Sequence, residues 1–336
     1  MRSSDFGPDQ VIPHPSFTNA SAELESGLLR ATPGTVIFLV GASGSGKTWI
    51  RRTVARKLYG LTDKWPPGKV PYTEVMSLLA DRGYFSTKDL AVTLFEQINA
   101  PDIDWLYKEP ATSPAPYHEL ERCIAQIADE WKKEKLLRTE REAWRAIIST
   151  GMVRQLQVAA IEHASLMVQN RVDGNAKQHT LNLMSMATKM GSCVLLTTTP
   201  DGCELWTGYP EINRRAIHVF VRPYDLKCTV DRKNFAVLVK ALSKGFKFEP
   251  KDLPLRLLAA IGYATQTAPG VVRKIFEGAH SAARARGSEV ITRKDLQGAF
   301  PGPLEVDSLV KSVVLLKGLM SPFSHPSFAD SEDERA

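Results

Sequence analysis

The apolar positions of this chain fall into two rhythms, one of short continuous runs and one of helical spacing. Thr35-Val-Ile-Phe-Leu-Val40 is an almost unbroken apolar run, the pattern of a strand buried on both faces of a parallel sheet. Ahead of it, Ala20–Leu29 carries Leu24, Leu28 and Leu29 at helical spacing and stops before Pro33-Gly34. Thr48–Leu58 reads as a basic amphipathic helix closed by Gly60. Past the linker Lys64–Lys69, Val70–Met76 predicts a second strand, and Ser86 or Thr87 caps a helix over Lys88–Ile98. Glu109–Pro116 is a Pro/Ala/Ser loop, and Tyr117–Ser149 returns to helical spacing, with Lys132–Arg141 as a solvated charged stretch. Val153–Ile161, Ser192–Thr197 and Ile217–Val221 predict three more strands, with a helix over Thr180–Met190. Beyond Pro223 the pattern is helical only: Phe235–Leu242, Pro254–Thr265, Gly270–Arg286 and Arg293–Phe300, the last capped by Thr292.

Strands alternating with helices predict an α/β class with a parallel sheet covered on both faces. The division expected is an N-terminal arm over 1–19, an α/β core over 20–225, a helical lid over 226–300 and a tail over 301–336 that ends acidic. With 43% hydrophobic and 24% charged residues, the 336-residue chain can bury a full core. Its longest apolar runs are too short to span a bilayer, and no basic-then-apolar leader opens it, so a cytoplasmic, membrane-free protein is expected. The four scattered cysteines form no CxxC pair and imply no zinc site. A net charge of +6 permits a polyanionic partner without demonstrating one.

The sharpest chemical signal is Gly41-Ala42-Ser43-Gly44-Ser45-Gly46-Lys47-Thr48, which fits GxxxxGK[ST] between a strand and a helix. Glycines let successive backbone N–H groups turn inward onto phosphate oxygens, and the helix N-terminus beyond favours the same anion. Gly41, Ser43, Gly44, Ser45 and Gly46 build the cradle, Lys47 answers the β and γ phosphates, and Thr48 offers its hydroxyl to magnesium. ATP with Mg²⁺ is therefore the expected cofactor pair. A hydrolysing site of this kind also needs a carboxylate supporting the metal, then a base for the attacking water, at the end of a neighbouring strand. The apolar run Val158–Ile161 stops at Glu162-His163, which puts Glu162 in the metal seat and His163 in the base seat. The rival alignment seats Ala159 and Ala160, neither of which can serve. Either way the machinery departs from an Asp-Glu pair, and slow turnover is expected.

Five further segments carry a family resemblance. Ile12-Pro-His-Pro-Ser-Phe17 precedes the phosphate loop, Val70-Pro71 leads to Ser86-Thr-Lys-Asp-Leu90, and Val194–Pro200 forms a Thr-rich strand end. Asn213-Arg214-Arg215 runs on to Arg222-Pro223-Tyr224, and Gly270-Val-Val-Arg273 opens a lid helix. In this order, over roughly residues 12 to 300, the chain resembles the AAA+ transposition regulators of the TnsC/TniB/MuB type. The resemblance implies a γ-phosphate sensor at Thr198 or Thr199, an arginine finger at Arg214 or its neighbour Arg215, and a lid arginine at Arg273. It also implies a contact of Lys88 with the DNA backbone, although an ordinary exposed lysine would look the same. The implied activity is head-to-tail self-assembly, as ring or filament, on duplex DNA, presenting the target to a transposase with a TniQ/TnsD-type target selector. Two other classes stay open: a hydrolysing initiator or loader, and a small-molecule P-loop kinase, which would need neither the arginine pair nor the GxxR lid.

Overall fold

The computed structural model describes residues 12–77, 85–101, 139–168 and 176–321. Five strands make one parallel sheet: β1 (Val36–Val40), β2 (Tyr72–Met76), β3 (Val158–Glu162), β4 (Cys193–Thr198) and β5 (Ala216–Phe220), in the order β2-β3-β4-β1-β5. Register pairs Val36 with Val194 on one side and with Ala216 on the other, while Tyr72 pairs with Val158. Because β1 sits between β4 and β5, strand order reverses beside it. The C-terminal ends of β1, β3 and β4 then open on the same edge of the sheet, where α/β folds bind ligands.

Side-chain alternation divides the strands between two cores. Val36, Phe38, Val40, Ala159, Ile161, Val194 and Leu196 face one layer, with α3 (Thr87–Asn99) and the helices Glu140–Val153 and Ala176–Met190 among its elements. Ile37, Leu39, Val158, Ala160, Leu195 and Val219 face the other, covered by α1 (Pro15–Arg30) and α2 (Lys47–Tyr59). A third cluster, centred on Phe235, Leu238, Val272 and Phe276, holds the C-terminal helices together. This five-stranded order with a helical appendage is the AAA+ α/β architecture. Among the described residues, no helix is long and apolar enough to cross a membrane.

Four expectations change. The first helix starts at Pro15 rather than Ala20, because Pro15 is pre-set for a first helical turn and Phe17 and Ala20 are buried. Residues 153–157 are not strand. A capping box of Thr139 and Glu142 starts a helix that runs to Val153, where Met152 and Val153 look outward, and Gln155 turns at φ 54° before β3 begins. The C-terminal part is not purely helical, since Lys247–Phe248 pairs with Val290–Ile291. Finally, 301–336 is not all tail: Pro303–Met320 is a helix whose Leu316 is fully buried in the first sheet core. The first part of the expected helix over Tyr117–Ser149, residues 1–11 and the acidic end lie outside the described residues.

Candidate nucleotide-binding site

The loop after β1 folds over the sheet edge, with the Gly41 amide donating to the Thr198 carbonyl at 3.3 Å. Gly44 and Gly46 sit at φ 73° and 94°, left-handed conformations that glycine adopts without steric cost. Gly46 then caps α2. Lys47 folds back on the loop, its Nζ donating to the carbonyls of Gly41 (2.7 Å) and Ala42 (3.0 Å). Burial pulls its pKa down to about 8, against the opposing charges of Asp201 and Glu162. No carboxylate among the described residues lies within ion-pairing distance of Lys47. The Ser45 hydroxyl is buried without a partner in the same loop. A desolvated ammonium, a waiting hydroxyl and left-handed glycines at a helix N-terminus suit a polyphosphate.

β3 delivers Glu162 to this loop. Its Oε1 accepts the Thr48 hydroxyl at 2.5 Å and lies 3.2 Å from Nη2 of Arg51. Burial works against the carboxylate, yet Arg51 and the Thr48 hydroxyl outweigh it and hold Glu162 below the ordinary range. Ala159 and Ala160 are instead sealed in opposite cores and do not line the cleft. His163 follows at φ 55°, exposed at the cleft wall, where it starts a 3₁₀ turn rather than continuing the strand. Together, Thr48 and Glu162 could hold a magnesium ion that accompanies the phosphates.

The strand end of β4 supplies three threonines to the cleft. Thr198 is buried, its hydroxyl given to the Thr199 carbonyl at 3.0 Å, whereas the Thr197 hydroxyl is buried without a partner. Sequence reasoning passed over Thr197, since strand periodicity marks no single threonine of the three as special. The lid closes from the other side. Gly270 donates its amide to the Gly44 carbonyl at 2.8 Å, and a Cβ on Gly270 would stand only 3.0 Å from that oxygen. Arg273, one turn on, lines the cleft and pairs with Glu277 at 2.8 Å.

The cleft encloses about 560 Å³, and its far end is apolar, walled by Ile12, Phe17, Leu238 and Leu242. His14 completes that end, with Nδ1 2.8 Å from the Tyr224 hydroxyl. Burial lowers its pKa to about 4, so the ring is neutral at pH 7. Ser16 donates to the Arg222 carbonyl at 2.5 Å, so the Ile12–Phe17 segment is strapped onto the hinge between sheet and lid. An apolar slot joined to a phosphate cradle is what a nucleotide needs at its two ends. Sequence periodicity could not have joined residues so far apart in the chain.

Two predicted residues stand outside the cleft. Arg214 ends the short helix Pro210–Arg215 with its side chain 69% exposed and pairs with Glu211 at 3.5 Å. Lys88 is exposed in the first turn of α3, which Ser86 caps through the Asp89 amide. Neither lines the cleft.

The loop, the strand order and the lid define a P-loop nucleotide-binding protein with an α/β core. No protein-family model matches the chain. A 101-residue stretch is 33% identical to the "Peptidoglycan transport ATP-binding protein YejF" of Agrobacterium fabrum, covering 29% of this chain. That stretch spans only 16% of the relative's length. Among solved structures, the Walker-type ATPase PABY2304 of Pyrococcus abyssi is similar at 16% identity, with a TM-score of 0.48, covering 94% of this chain and 74% of its own. The FIGL-1 AAA domain in complex with ADP is similar at 13% identity and a TM-score of 0.44, with 98% and 90% covered.

Proposed function

We propose that this protein is an ATP-dependent regulator that assembles head to tail on duplex DNA and presents that DNA to a transposase. The observation that carries this reading is the division of arginines. Arg273 lines the cleft of its own chain, while Arg214 stands exposed outside it, on a surface that a nucleotide held by another subunit could approach. Two complementary patches on different faces make a heterologous contact, which closes into rings or runs on as a helix. ATP then acts as interface glue: one subunit's Lys47, Thr48 and Glu162 hold it, and the next subunit's Arg214 reads it. Exposed Lys88 and the positive net charge supply a phosphate-directed, salt-sensitive grip on DNA. A TniQ/TnsD-type selector as further partner rests on the family resemblance alone.

The same reading makes hydrolysis slow. The base seat holds an exposed imidazole on a left-handed backbone, not a carboxylate at the strand end. Analytical sedimentation with duplex DNA tests the proposal. Large ATP-dependent complexes should form equally with ATP and with a non-hydrolysable analogue. Protein that stays monomeric on DNA with either nucleotide refutes it, and a requirement for hydrolysis favours the loader class instead.

A further inference from the structure

Behind the metal seat lies a buried ion network that the nucleotide reading does not use. Arg51 follows Lys47 by four residues and Thr48 by three, so it shares their face of α2. Its side chain is fully buried. Nη1 donates to Glu74 Oε2 at 2.6 Å and to the Tyr72 hydroxyl at 3.1 Å, both on β2. Nη2 lies 3.2 Å from Glu162 Oε1 on β3, the same oxygen that takes the Thr48 hydroxyl. That contact is an ion pair without an aligned hydrogen bond. Arg52 adds a second cation on Glu74 at 3.6 Å. One guanidinium thus bridges carboxylates from two adjacent strands and fixes the one that faces the phosphate loop.

We infer that Arg51 is a positioning residue matched to the unusual length of Glu162, and that it sets how tightly this site takes magnesium with its nucleotide. An aspartate in this seat would be one methylene shorter and would fall short of Thr48 and Arg51 together. A glutamate reaches both, but it has one more rotatable bond and needs a second anchor to stay aimed. A planar guanidinium presents its donors in a fixed fork that aims at two carboxylates at once, a geometry that a compact ammonium does not preset. Groups of this kind, which orient a metal-supporting carboxylate from behind, typically change metal affinity 10- to 100-fold when removed. The inference rests on the nucleotide reading and deepens it.

The test is the Mg²⁺ dependence of binding a fluorescent ATP analogue, compared in EDTA and across a Mg²⁺ titration. Lys47 and the loop amides govern the metal-free affinity, so Arg51→Met should leave that within about twofold while shrinking the Mg²⁺-dependent gain 10- to 100-fold. Arg51→Lys should keep at most part of the gain, because a shorter ammonium lacks the fork that spans Tyr72, Glu74 and Glu162 together. Glu162→Asp should also lose the gain, although it installs the commoner residue. Arg51→Met takes a cation away from both Glu74 and Glu162 and can unfold the chain, so Arg51→Met with Glu74→Gln removes one charge of each sign. A folded double variant with the wild-type Mg²⁺ gain overturns the inference alone. A wild type that binds the analogue neither in EDTA nor in Mg²⁺ overturns the nucleotide reading and this inference with it.

Discussion

Lys47 is the residue whose replacement tests the phosphate site most directly, because burial of its ammonium works against the charged form. Its ammonium is held against two carbonyls in a desolvated loop, with its pKa drawn from the ordinary 10.5 to about 8. A shift of that size corresponds to at most about 3 kcal/mol set against the folded, nucleotide-free state. The sign follows from proton counting. Between pH 8 and 10.5 the unfolded chain binds the proton and the folded one does not, so stability rises with pH across that window. Below pH 8 both states are charged and the whole penalty stands. Lys47→Met should therefore stabilise the apo protein at pH 7, by up to about 3 kcal/mol. It should also weaken ATP by about 10- to 150-fold, the loss of one charge-assisted contact worth roughly 1.5–3 kcal/mol. Phosphates beside Lys47 should return its pKa upward, so wild-type ATP binding at pH 8 should take up a fraction of a proton. Calorimetry in buffers of different ionisation enthalpy measures that uptake, and a melt gives the stability. ATP binding without proton uptake in wild type, together with a Lys47→Met variant no more stable than its parent, would refute the reasoning.

Arg214→Ala should leave ATP affinity unchanged and raise the concentration needed for assembly about 30-fold, as expected for an interface hot spot of roughly 2 kcal/mol; filaments at the wild-type concentration would exclude Arg214 as the finger. Gly270→Val should push the lid off the loop, since its Cβ would meet the Gly44 carbonyl at 3.0 Å. Overpacking of that kind costs about 1–3 kcal/mol, readable as a smaller ATP-induced rise in melting temperature. His163→Glu should speed phosphate release in the presence of DNA, but by less than the 10²–10⁴-fold of a well-placed base. The left-handed backbone at φ 55° costs a glutamate about 1–2 kcal/mol. Turnover indifferent to both His163→Glu and Glu162→Gln would remove these residues from the reaction.

Continuous apolar runs made the sheet legible, because a strand buried on both faces leaves no other pattern: Val36–Val40 and Cys193–Thr198 lie within a residue of where the sequence puts them. The phosphate loop was legible because its chemistry is local. What the sequence hid is non-local. The helix Glu140–Val153 and β3 are joined by a turn at Gln155, and the apolar residues Met152 and Val153, exposed in the fold, counterfeit a longer strand. Arg51 looks like one more cation on a basic helix. It is buried with Ile50, Val54 and Ala55 only because β2 and β3 bring Glu74 and Glu162 beneath it. The apolar end of the cleft is assembled from residues 12–17 and 238–242, more than two hundred positions apart.

That assembly bears on how a nucleotide could control assembly in the proposed reading. The lid touches the sheet domain at both ends of the cleft. At the phosphate end Gly270 is bonded to Gly44, and at the apolar end His14 and Ser16 hold Tyr224 and Arg222 of the hinge. The hinge in turn takes its bearing from the lid, since Thr267 accepts the Tyr224 amide at 3.0 Å. A ligand that fills the cleft from Lys47 to Leu238 therefore presses on two separate anchors of one group of helices that share a core. Arg214 sits on the sheet side, just before β5, and β5 itself leads into that hinge. In that reading the lid and Arg214 flank the same short stretch of chain, β5 and the hinge Val221–Lys227. On the proposed function, a neighbouring subunit that docks against one while reading the other would be admitted when the cleft is filled. In this design occupancy, not hydrolysis, gates assembly, and a weak base at His163 prolongs the assembled state instead of impairing it.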